Sequence, residues 1–377
     1  MALALISLNL RPSLTSVPPL VDALRSDLHM SAGTLALLTA LPLFVFGLFS
    51  TSVPAIARAL GPERALTTAL GFLVVTLLLR VAGGPVIMLA GTALAAAAIA
   101  MSNVLIPGLI RRDYSDRAGL ATGLYAMALG MGATAGAATA VPLRDLFGGR
   151  WQPALAAWAV PAVLALGGWQ LVARRGRSSA PAEVVRPGGR MFRPPIAWAV
   201  LVFIGLQSLV FFTLIAWLPA FFQDLGYSPA RSGLLLAVAQ FAGIPGGLIV
   251  PQLAMRSRHQ VGHVIATTLL TAVGLLGLIV VPTTVPELWS ACAGLGSSAF
   301  PLGLALIVLR TRLPTATDAL SGFAQGGAYL LAALGPVLAG TLHEATGGWH
   351  LPMVVLLVLC VPQILAGVLA GRARLIA

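Results

Sequence analysis

The sequence predicts an all-α polytopic membrane protein with twelve transmembrane helices in two six-helix, pseudo-symmetric halves. Three observations predict it. The 377 residues are 58% hydrophobic and only 9% charged, whereas a soluble domain carries roughly 25% charged residues; there is too little polar surface to coat a water-soluble globule. Apolar runs recur at the length that crosses the hydrocarbon core, about 20 helical residues. The two halves of the chain also resemble each other at a nearly constant offset.

In chain order the apolar runs are 2–24, 32–57, 63–80, 85–110, 117–142, 152–173, 196–222, 230–254, 262–281, 287–309, 319–342 and 350–370. Helix-breaking residues punctuate them: Gly61-Pro62, Gly83-Gly84-Pro85, Gly148-Gly149, Ser228-Pro229 and Gly347-Gly348 all fall between runs. The first run reads as a membrane helix rather than a signal peptide, because it lacks a basic leader and is interrupted by Asn9, Arg11 and Pro12. One substantial loop, 174–195, is basic and rich in Pro and Gly. It divides the chain into an N-terminal half, 1–173, and a C-terminal half, 196–377.

All 23 basic residues are arginine, and the net charge is +12. Most of them sit in short segments on one side of the predicted membrane, among them Arg58, Arg64, Arg111, Arg112 and the arginines of the central loop. The opposite ends hold only Arg25, Arg80, Arg144, Arg150 and Arg231. The positive-inside bias therefore places both termini and the central loop in the cytoplasm. The same short loops leave no basic, aromatic-laced surface for nucleic acid. Two cysteines, Cys292 and Cys360, lie inside apolar runs, which excludes a disulfide framework and a Cys zinc site. The five histidines show no metal-ligand spacing, and no metal or cofactor is expected.

The repeat is visible in two places. DLHMSAGTLALLTALPLFVFGLFSTSVP (27–54) matches DLGYSPARSGLLLAVAQFAGIPGGLIVP (224–251) at offset 197, pairing Asp27 with Asp224, Ser31 with Ser228 and Pro54 with Pro251. VLIPGLIRRD (104–113) matches GLALIVLRTR (303–312) at offset 199, pairing Arg111 with Arg310. Two such halves in the same orientation describe a parallel repeat about an axis along the membrane normal. Carriers of that design bind solute near mid-bilayer and rock one half against the other.

On these features the chain resembles the major facilitator superfamily. LNLRPSLTSVPPL (8–20), LLTALPLFVFGLFS (37–50), SNVLIPGLIRRDY (102–114) and GLATGLYAMALG (119–130) resemble its cyanate / 2-nitroimidazole transporter family over nearly the whole chain. The resemblance implies uptake of a small anionic or nitro-containing solute by alternating access at the bacterial plasma membrane, with drug or metabolite export by the same fold as the alternative. Two superfamily features are missing. ARALGPERAL (57–66) has no Asp where the loop between helices two and three carries an Asp-Arg pair, and GMGATAGAATAVP (130–142) has no Gly-Pro antiporter motif.

Arg11 is the sharpest candidate site residue. At 1.5 Å per residue it lies roughly 14 Å into the first helix, near the bilayer centre, where a guanidinium costs at least about 2.5–3.5 kcal/mol to insert. Ser7 and Thr15, one turn to either side, extend a polar stripe. No Asp or Glu falls in the middle of any run, so the planar, permanently charged donor set is available to a small anion. Asn103 and Tyr125 are expected to line the cavity, and Gln207 to face the first helix from the second half. The predicted substrate-binding set is thus Arg11, Thr15, Asn103, Tyr125 and Gln207, with interhelical hydrogen bonding as the competing role for the last three. His343 and Glu344, at an external end, could serve proton coupling.

No G-x-x-x-x-G-K-[ST] motif supplies nucleotide energy, so transport runs on gradients, with a proton as the candidate coupling ion. A membrane-embedded enzyme would need His, Asp or Glu clustered at one face, and none is seen. The expected partners are a small-molecule solute and the lipid bilayer, and the carrier is expected to work as a monomer.

Overall fold

A computed structural model describes residues 2–50, 52–113, 118–173, 195–311 and 314–372. Among these residues the chain is helical, and ten helices are long and apolar enough to cross a membrane. A shorter apolar helix, Gly33–Phe49, makes an eleventh. The segment from Ala2 to Leu28, broken into short pieces, completes the twelve.

The first segment runs through α1 (Ala2–Asn9), α2 (Pro12–Thr15), a 3-10 turn (Pro18–Leu20) and α3 (Val21–Leu28). Where the sequence reads as one span, 2–24, prolines interrupt it: Pro12 cannot donate the next helical hydrogen bond, and neither can Pro18 or Pro19. The second span is also shorter than the expected 32–57. The helix α4 (Ala32–Phe49) opens on a Ser31 cap, whose Oγ accepts from Thr34 N at 3.1 Å; it closes at Ser50, and α5 (Val53–Leu60) follows with Pro54 in its first turn. Gly61 then turns the chain with φ 79°, a conformation that favours glycine. The rest of the first half is α6 (Pro62–Leu79), α7 (Pro85–Asp113), α8 (Ala118–Leu146), α9 (Trp151–Ala156) and α10 (Ala159–Ala173).

The second half holds α11 (Pro195–Asp224), α12 (Pro229–Arg256), α13 (Val261–Val280), α14 (Pro286–Gly296), α15 (Ala299–Leu309), α16 (Pro314–Thr346) and α17 (His350–Gly371). Proline opens many of these helices, where its missing N–H costs nothing. Large apolar side chains stand outward along the helices of both halves, Leu48 at 66%, Val86 at 77% and Phe241 at 63% exposure among them. That surface suits lipid and would be a liability in water.

Two compact units emerge. One comprises Met1–Val184 and Phe222–Ala237, the other Val185–Phe221 and Val238–Ala377. The expected linker, 174–195, lies outside the described residues except for Pro195. In the second unit Phe203, Ile204, Val264, Leu302, Leu306 and Leu320 form a continuous core of α11, α13, α15 and α16. Small residues bring these helices close: a Cβ on Gly303 would lie 2.4 Å from Ile204, the close approach expected between membrane helices. In the first unit Trp169 Nε1 donates to Thr67 Oγ1 at 3.1 Å, tying α10 to α6. Trp151 Nε1 donates to Asp27 Oδ2 at 2.6 Å, tying α9 to the end of α3.

Candidate functional site

The first segment stops being a helix where the sequence places its charge. Leu10 and Arg11 form a turn between α1 and α2, and Arg11 caps α2 with φ −108° and ψ −32°. Pro12 removes the donor that Leu8 O would have received. That carbonyl instead faces α8, where a Cβ on Gly132 would lie only 2.1 Å from it. One turn on, a Cβ on Gly136 would meet Thr15 Oγ1 at 2.4 Å and Pro12 Cα at 2.8 Å. The bare glycine backbone of α8 is therefore what lets the interrupted segment pack against it.

Side chains fasten the break from several directions. Thr15 Oγ1 donates to Ala133 O at 2.9 Å on α8, and more weakly to Arg11 O at 3.3 Å. Ser7 Oγ donates to Leu3 O at 2.6 Å. The Ser7–Arg11–Thr15 stripe therefore crosses the interruption, one residue on α1, one in the turn and one on α2. Asn9 closes α1, two residues before Arg11. Its Nδ2 donates to Leu5 O at 2.7 Å and to Pro161 O at 3.1 Å, binding α1 to α10. Arg11 itself is half-buried, between buried Leu10 and Pro12.

Asn103 and Tyr125 meet. The Tyr125 hydroxyl donates to Asn103 Oδ1 at 3.1 Å, joining α7 to α8, and both side chains are half-buried. Tyr125 stands eight residues before Ala133, roughly 12 Å along α8 from the Thr15 anchor. These four residues, Arg11, Thr15, Asn103 and Tyr125, all belong to the first unit. Gln207 belongs to the second, where it is 1% exposed. Its Oε1 accepts from Gln363 Nε2 at 2.8 Å, and Gln363 Nε2 also donates to Thr268 Oγ1 at 3.2 Å. This polar cluster links α11, α13 and α17 inside that unit.

Two arginines that look like loop residues in the sequence are buried. Arg80, at the end of α6, is 0% exposed. Its Nη1 donates to Ser13 O at 2.9 Å, at the broken segment. Among the described residues its Nε and Nη2 have no partner, and nearby on the same segment the buried hydroxyls of Ser13 and Ser16 have none either. Arg310, at the end of α15, is 3% exposed. Its Nε donates to Ala370 O at 2.7 Å and its Nη2 to Gln260 Oε1. The sequence offered a faint signal for Arg80, since it ends an apolar run instead of lying in a polar loop.

The 57–66 segment lacks the superfamily's Asp, but Glu63 forms an ion pair with Arg112 Nη1 at 2.5 Å, joining the start of α6 to the end of α7. Asp113 takes the other face of the same guanidinium, from Nε at 2.6 Å and Nη2 at 3.1 Å. The Asp113 carboxylate, and behind it Glu63, hold that guanidinium above its ordinary pKa. Among the described residues, no group of three or more His, Cys, Asp or Glu side chains is placed to hold a metal ion.

Comparison with known proteins places this geometry in context. A family model described as the Major Facilitator Superfamily matches residues 3–312. The chain is 36% identical over 373 residues to an uncharacterized transporter of Bacillus subtilis, YycB, covering 98% of this chain and 92% of that protein. It is 36% identical to the 2-nitroimidazole transporter of Escherichia coli, covering 98% and 94%. It is 34% identical to the cyanate transport protein CynX of Escherichia coli, covering 93% and 91%. Among solved structures, a bacterial homologue of the human lysosomal transporter Spinster superposes with TM-score 0.80 at 13% identity, covering 99% of this chain and 96% of that one.

Proposed function

Because the chain belongs to the Major Facilitator Superfamily, with the 2-nitroimidazole and cyanate transporters among its relatives, we propose that it carries a small anionic or nitro-containing solute across the bacterial plasma membrane by alternating access. It is a transporter and not an enzyme. The observation that carries the reading is a half-buried arginine at a proline-made interruption of the first membrane segment. A helix break at membrane depth is tolerated where it lines a cavity or is buried in protein, and a guanidinium there offers a planar fork to a carboxylate-like or nitro group.

Arg11 holds the electron-rich end of the solute. The Asn103–Tyr125 pair presents amide and phenol groups to its remainder. Thr15 and Gln207 are positioning residues: Thr15 clamps the break to α8 through Ala133 O, and Gln207 fixes its neighbouring helices through Gln363. The two halves are 1–173 and 196–377, both termini lie in the cytoplasm, and a proton gradient drives the solute, with His343 and Glu344 as candidate coupling groups. The carrier works as a monomer.

The test is a thermal-shift screen of the purified chain against cyanate, small carboxylates and nitroimidazoles, with Arg11→Gln alongside. At least one class is expected to raise the wild-type melting temperature and to leave Arg11→Gln unmoved. If no class shifts the wild type more than Arg11→Gln, Arg11 is removed from the site. In cells, uptake predicts loss of solute entry on deletion; export predicts greater sensitivity to the solute instead.

A further inference from the structure

In three described arginines both Nε and Nη2 are partnered, and a fourth, Arg80, differs from them. Arg112 directs Nε and Nη2 together at the two oxygens of Asp113. Arg144 directs the same two nitrogens at Asp145 Oδ1, at 3.0 and 2.7 Å. Arg310 gives them to Ala370 O and Gln260 Oε1. In Arg80, which is fully buried, only Nη1 is used, on Ser13 O, while Nε and Nη2 have no partner among the described residues.

Nε–H and one Nη2–H lie parallel on one edge of a guanidinium. They form the side-on fork that grips a two-oxygen group or a single anion. The position is fixed on its other sides: a Cβ on Gly91 of α7 would lie 2.5 Å from Arg80 Cβ, so the two helices clasp the stem of the side chain. Beside the guanidinium runs the broken first segment, whose buried Ser13 and Ser16 hydroxyls have no partner among the described residues, and Thr92 next to Gly91 carries a third such hydroxyl. A buried cation with no carboxylate against it is costly. Water could satisfy the N–H groups but would leave the charge uncompensated; an anion does both.

We propose that Arg80 is the centre of a second, buried site for a small monovalent anion, seated on its Nε–H/Nη2–H fork beside the break in the first membrane segment. The class is nitrate, formate or halide in size. The anion completes the attachment of α6 to Ser13 and so stabilises the interruption that carries Arg11. This holds whether or not Arg11 binds the transported solute, and the two sites are separable by mutation.

The experiment is thermal unfolding of the purified full-length chain in a gluconate buffer of fixed ionic strength, with sodium nitrate titrated in. The expected result is a saturable rise in melting temperature of several degrees, retained in Arg11→Gln and abolished in Arg80→Gln. Arg80→Lys keeps the charge but loses the fork, and is expected to need at least tenfold more nitrate. If neither Arg80 variant folds, saturation-transfer NMR with 13C-formate on the wild type and on Arg11→Gln is expected to show a signal in both that nitrate displaces. A wild type with no saturable response to nitrate or formate would overturn the assignment. So would a response that survives Arg80→Gln, or one that disappears in Arg11→Gln.

Discussion

The two buried arginines, Arg80 in the first unit and Arg310 in the second, show how differently one residue type can be housed in the same fold. Each ends an apolar helix, and each is 3% exposed or less. Arg310 is enclosed by oxygen: the Ala370 carbonyl, the Gln260 amide and, at 3.4 Å, the Leu309 carbonyl. Gln260 is itself anchored, since its Nε2 donates to Ser257 O at 2.8 Å and Ala254 O at 3.2 Å. Arg80 has one carbonyl on Nη1 and, among the described residues, no partner on Nε or Nη2. A satisfied buried cation is a structural clamp; an unsatisfied one is held where a ligand can complete it. Arg310 matches Arg111 of the first half at offset 199, whereas no arginine stands 199 residues after Arg80.

That contrast can be broken or sharpened by substitution. The largest effect is expected from Arg310→Met, which strands the Gln260 and Ala370 oxygens and should cost about 3 kcal/mol, read as loss of monodisperse protein after extraction. Gln260→Leu removes the Nη2 partner and makes Arg310 resemble Arg80; it should cost about 2 kcal/mol, seen as a lower denaturation midpoint. Arg80→Met in anion-free buffer should change stability by no more than about 1 kcal/mol, because exchanging an incompletely satisfied buried charge for an apolar chain is often neutral. A cost equal to that of Arg310→Met would show the two sites to be alike. Smallest is Tyr125→Phe, which loses the bond to Asn103, worth about 0.6 kcal/mol between membrane helices; it should leave melting nearly unchanged and raise the KM of uptake.

Much of the fold was legible because bilayer thickness and hydropathy act locally. Runs such as 350–370 and 230–254 reappear as α17 and α12 with ends moved by a few residues. The first segment was harder. Pro12, Pro18 and Pro19 were visible, but composition does not say whether prolines kink a helix or split it; the answer lies in Gly132 and Gly136 on a distant helix that makes room for the split form. The Asn103–Tyr125 bond joins positions 22 residues apart, and Gln363–Gln207 joins positions 156 apart. Neither pairing has a local signature. Arg80 was counted with the loops because charge at a helix end usually reaches water; only packing against α7 and the first segment encloses it.

The central claim is that Arg11 holds the transported solute. It is tested most directly by proteoliposome uptake of radiolabelled cyanate and of 2-nitroimidazole under an imposed proton gradient, comparing wild type with an equally reconstituted Arg11→Gln. The account predicts saturable entry of at least one of the two in the wild type and entry at the empty-liposome rate in the variant. Wild-type kinetics in Arg11→Gln would contradict it.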